Sequence, residues 1–134
     1  MNRKRSREVA MELLFAKTLS KNTMGEVIEA LNEEYVLNEK GIDSEYIINL
    51  LKTVEDNISE IDSRVQESLV GWTIDRVSKI NLTILRVSVC EILYMEDVPN
   101  KVAINEAIEL TRTYSDEKSI SFVNGVLDKI FKSL

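Results

Sequence analysis

Apolar residues recur along this chain at intervals of three and four, the spacing of an amphipathic α-helix. Val9, Ala10, Leu13, Leu14 and Ala16 mark one face of a first helix. Asn22 and Thr23 interrupt that pattern and can cap a second helix running to about residue 37. A polar stretch over 38–43, holding Gly41, reads as a loop. Asp43 or Ser44 then caps a long third helix, with Ile47, Leu51, Val54, Ile58, Ile61, Val65 and Leu69 in phase and Gly71 as its C-cap. Residues 72–77 suggest a short helical turn anchored by Trp72. Segment 82–95 is apolar almost all round, as in a helix surrounded by others, so Leu85, Val89 and Ile92 are expected at the core. Pro99 follows its end, where a helix does not readily continue. Two further helices are expected. The first spans 102–114, with Ala103, Ile104, Ala107, Ile108 and Thr111 on one face; the second spans 117–132, with Ile120, Val123, Leu127, Ile130 and Phe131 inward. The expectation is an all-α bundle of about seven helices, as one domain over 1–134 or as two helical sub-bundles.

Charge changes this picture at one end. The 134 residues carry a net −6, yet Arg3, Lys4, Arg5 and Arg7 place +4 ahead of residue 8. From Glu26 to Glu67 twelve acidic side chains face three basic ones. A basic arm over 1–7 on an acidic body is a nucleic-acid footprint if the arm lies beside a binding surface. A solvated, frayed terminus explains the same charge.

Composition narrows the chemistry. The chain has no histidine, the commonest general base and metal ligand. With Cys90 as the single thiol, a structural zinc site cannot be assembled from one chain. The four glycines are too scattered for a phosphate-cradling loop. No catalytic residue, metal or cofactor is expected. No apolar run approaches the roughly 18 residues of a membrane span, and Glu8 and Glu12 fall where a signal peptide needs apolar residues. A cytoplasmic location is expected.

Two aromatics lie off their helices' apolar stripes. Phe122 sits about 120° from the centre of the face made by Ile120, Val123, Leu127 and Ile130. Phe15 lies opposite Val9 and Leu13, on the side of Lys4 and Met11. Such a ring near basic residues can stack on an unpaired base, or can pack against another helix. Gly125, after Asn124, costs about 1 kcal/mol relative to alanine inside a helix, which suggests close approach by a backbone or by a ligand. Asn105 and Glu106 make a comparable polar step.

Several segments together resemble the bacterial NusB transcription antitermination family: 72–76 (WTIDR), 84–94 (ILRVSVCEILY), 97–110 (DVPNKVAINEAIEL) and 119–128 (SISFVNGVLD). Residues 3–15 (RKRSREVAMELLF) look like that family's basic first helix, whereas 20–65 match in helical character alone. The resemblance implies a helical, non-enzymatic protein that binds single-stranded boxA RNA of ribosomal RNA leaders. It implies a heterodimer with NusE, a small-subunit ribosomal protein, acting on RNA polymerase so that it reads through terminators. The implied RNA surface is Arg3, Lys4, Arg5, Arg7, Phe15, Phe122 and Asn124. Asn81 and Lys118 stand where the family commonly has acids; with Glu106 they are the implied partner-contact positions, and they bear on affinity rather than fold. The free protein is either a monomer or a homodimer. Two other functions fit a helical chain of this length. One is a protein-interaction adaptor without RNA contact; the other is the NusB-like module of an RNA methyltransferase.

Overall fold

Seven α-helices account for most of the chain in the computed structural model, which describes all 134 residues. They fall into two compact units, residues 1–53 and 54–134.

In the first unit, α1 spans Arg3–Leu19 and is capped by Asn2, whose Oδ1 accepts from the Arg5 amide at 2.9 Å. The basic segment is therefore the opening turns of a helix and not a tail. Val9, Ala10, Leu13 and Leu14 are buried as expected, but Ala16 is exposed and Met11, on the supposed outer side, is buried. Helix α2 (Met24–Ala30) opens with a capping box: Thr23 accepts from the Glu26 amide while the Glu26 carboxylate accepts from the Thr23 amide. A π-helical turn, Leu31–Val36, continues it. The chain then turns through Gly41 at φ +81°, a left-handed conformation that costs glycine little. Helix α3 (Ser44–Asp56) starts where Asp43 Oδ1 accepts from the Tyr46 amide at 3.1 Å.

The long third helix expected from the pattern is broken at Asn57, which leaves helical geometry at φ −124° and ψ 22°. Its N–H takes the Val54 carbonyl in a tightened turn, and its own carbonyl accepts from Ile61 to begin α4 (Ile58–Glu67). Apolar phase alone could not reveal this, because Val54, Ile61 and Val65 are buried on both sides of the break. Gly71 is not the C-cap: α4 ends at Ser68, and Gly71, at φ +78°, serves the turn that delivers Trp72.

The rest of the second unit is a 3₁₀ turn (Ile74–Arg76), α5 (Lys79–Tyr94), α6 (Asn100–Tyr114) and α7 (Glu117–Lys132). Helix α5 packs against α4, α6 and α7. That position is why Ile84, Leu85, Val87, Val89 and Cys90 are all buried, while Ile92 is half-exposed. Arg86 grips Asp62 through two bonds of 2.9 and 2.8 Å, tying α5 to α4. Pro99 is the N-cap of α6. On α7, Val123, Val126, Leu127 and Ile130 are buried, whereas Phe131, expected inward, is exposed in the last turn. No helix is long and apolar enough to cross a membrane.

Candidate nucleic-acid interface

The first unit carries all four expected cations, and three of them are already engaged. Arg3 lies 4.1 Å from the Tyr46 ring centroid and 3.6 Å from the Asp43 carboxylate. Arg7 lies 5.8 Å from the same ring and is only 3% exposed, so it cannot meet a phosphate unless the helix opens. Of the four expected RNA-contacting cations, Arg7 is the most enclosed. Arg5 places Nε and Nη2 on the two oxygens of Glu39, at 2.7 and 2.8 Å, and Nη1 near Glu8 and Glu12, at 3.2 and 3.3 Å. The bond to Glu39 raises the Arg5 pKa and holds that carboxylate below its usual range. Burial, reinforced by its hydrogen bond to Glu12, pushes the Tyr35 phenol up to about 12. Lys4, by contrast, is exposed and meets no carboxylate or ring. Phe15 is half-buried on α1.

In the second unit, Gln66 fixes the segment carrying Trp72: its Nε2 donates to the Trp72 carbonyl and its Oε1 accepts from the Ile74 amide. This sets the Trp72 ring 5.1 Å from Phe122, tilted by 51°. The paired rings separate two shallow recesses. One, of about 250 Å³, is bounded by Leu69, Val70, Ser121, Gly125 and Lys129; the other, of about 280 Å³, by Ser78, Asn81, Asp116 and Lys118. Both fall below the ~300 Å³ at which enclosing small-molecule pockets begin. They suit a ring or side chain laid across the surface rather than a ligand engulfed by it.

Phe122 packs on Trp72 and remains half-exposed, so part of its ring is open to solvent. At Gly125 a Cβ would meet nothing within 4 Å, so close packing of another helix does not require the glycine. Asn124 is exposed beside it. At one helical turn and two, Gly125 and Lys129 share the face of Phe122. Trp72 and Lys129 are the members missed as site residues from sequence; their helical spacing and the WTIDR segment were the available signals.

The three implied partner-contact positions part company. Lys118 is exposed at the second recess. Glu106 is half-buried on α6. Asn81 is buried, and its amide is used within the fold: Nδ2 donates to Ser119 Oγ, and Oδ1 accepts from Ser115 Oγ, each at 2.8 Å. It acts as a strut across the α6–α7 corner, so its amide is already engaged within the fold. Ser119 in turn donates its hydroxyl and amide to Asp116, the α7 N-cap, lowering that carboxyl's pKa.

A helical module with a cationic helix start in one unit and a paired-ring surface in the other has the makings of a binding protein. The model of the NusB family matches residues 4–132, and the chain belongs to that family. It is 52% identical to the transcription antitermination protein NusB of Clostridium botulinum (strain Alaska E43 / Type E3), over 98% of this chain and 99% of that one. Among solved structures, T. maritima NusB matches with a TM-score of 0.85 and 30% identity, over 98% of this chain and 92% of its own. A structure of antitermination factors NusB and NusE in complex with double-stranded RNA matches with a TM-score of 0.86 and 31% identity, over the whole of both chains. The names of these relatives describe an antitermination factor and no catalytic activity.

Proposed function

We propose that this chain is a transcription antitermination factor that binds boxA RNA of ribosomal RNA leader transcripts together with NusE. It promotes read-through by RNA polymerase. The observation that carries the proposal is the full-length likeness to a NusB recorded in one assembly with NusE and RNA. The surface geometry supports it. Lys4 and Arg3 offer charge at the opening of α1, the first exposed and the second with its side chain 41% exposed. Phe122 offers a ring face braced by Trp72, and Asn124 can both donate to and accept from a base edge. Gly125 leaves open space beside them, and Lys129 supplies a cation for the phosphate of a stacked nucleotide. Phe15 is a further ring on α1, and Lys118 and Glu106 are the positions proposed to face the protein partner.

Binding of fluorescent boxA RNA and of a scrambled control, each with and without NusE, tests this reading. Preference for boxA that strengthens with NusE is expected. Equal binding of the two RNAs in both conditions would overturn it. NusE binding without any RNA binding would indicate a protein adaptor instead.

A further inference from the structure

Four basic residues in the first seven suggest four phosphate contacts, but the surroundings of Arg5 argue otherwise. Its guanidinium faces three carboxylates, Glu39, Glu8 and Glu12, so the cluster as a whole carries net negative charge. An incoming phosphate would be repelled by that net charge. The pairing with Glu39 is bidentate, the geometry in which guanidinium and carboxylate bind most firmly and directionally. It also reaches across 34 residues, from the first turn of α1 to the segment after the π-helical turn. The same segment is fastened to the start of α1 at three other points. The Asn2 amide donates to the Gly41 carbonyl at 2.8 Å. The Asp43 amide donates to Ser6 Oγ at 2.8 Å, and Arg3 pairs with Asp43 at 3.6 Å. Arg5 therefore closes a clasp around the turn that carries Arg3 and Lys4.

Accepting that the chain binds RNA, we infer that Arg5 is a positioning residue: through Glu39 it fixes segment 38–43 against α1, holds Arg3 and Lys4 in place, and does not itself contact phosphate. Groups held in their bound arrangement beforehand lose less entropy on association. Salt dependence separates this role from direct contact, because each phosphate contact to single-stranded RNA adds about 0.7 to the slope of log K against log salt. Loss of preorganisation lowers affinity without altering that slope.

The test is the affinity of the full chain for boxA RNA across a salt series, for the wild type and for Arg5→Gln, Glu39→Gln and Lys4→Gln. Arg5→Gln and Glu39→Gln should each weaken binding about two- to tenfold, along lines parallel to the wild type, with faster amide exchange over 38–43. Lys4→Gln should flatten the line by about 0.7. If Arg5→Gln does not fold, Glu39→Gln carries the test, because Arg5 then keeps Glu8 and Glu12. A flattened slope in Arg5→Gln, or tighter and steeper binding in Glu39→Gln, would make Arg5 a phosphate contact that Glu39 masks. Unchanged affinity in both variants would make the clasp purely structural and would also overturn the inference. Failure of the wild type to prefer boxA over scrambled RNA would appear before any variant is compared, and it would count against the RNA reading itself.

Discussion

At the start of α1, four cations are crowded into five residues, and Lys4 alone stands clear of carboxylates and rings. On α7, one phenylalanine off its helix's apolar stripe is left half-open beside Trp72, with a glycine whose missing side chain leaves empty space. The first region looks stronger in the sequence and is weaker in the fold. A count of charges says nothing about which are already paired, and the acids that engage Arg5 come from positions 8, 12 and 39. The second region looks weak in the sequence because a single displaced aromatic has two explanations. It gains meaning only when Gln66 is seen to hold the Trp72 segment in place.

The contrast can be broken first at the core. Leu85 on α5 is fully buried, and Leu85→Ala should lower unfolding stability by about 2–5 kcal/mol in chemical denaturation. A loss under about 1 kcal/mol would mean that α5 is not the centre of its unit. Phe122→Ala supplies the opposite ranking. RNA binding should weaken by about 1–3 kcal/mol, as for removal of a stacked base. Its stability cost should stay below the ~3–5 kcal/mol of deleting a fully buried phenylalanine. A stability loss near that of Leu85→Ala, with RNA affinity intact, would make the ring ordinary packing. Gly125→Ala is the smallest effect and the most diagnostic. With open space around it, alanine should stabilise α7 by about 0.5–1 kcal/mol, yet weaken RNA binding by crowding the surface beside Phe122. Higher melting temperature with unchanged affinity would show that no ligand approaches there.

Helix periodicity made most of the fold legible, including the capped second helix, the loop at Gly41 and the buried α5. It failed where the physics is local and polar. Asn57 breaks a continuous apolar stripe by changing its own backbone angles, and that stripe continues in phase on the far side. Phe131 follows the period of α7 but lies in its last turn, where it stays partly open to solvent. Asn81 occupies a position that resemblance assigned to a partner, yet the serines at 115 and 119 take up its amide. Those serines lie 34 and 38 residues away, a pairing that only the folded corner reveals.

If the chain binds boxA RNA, the exposed start of α1 and the Phe122 face of α7 should each respond to it. The most direct measurement is the change in backbone amide NMR signals of the ¹⁵N-labelled protein on titration with boxA RNA, with a scrambled RNA as control. The expected result is that signals from residues 3–5, from Trp72 and from 121–129 shift with boxA and shift less with the control. Signals from the acidic stretch between Glu26 and Glu34 should stay in place. Shifts confined to other surfaces, or identical for the two RNAs, would contradict it.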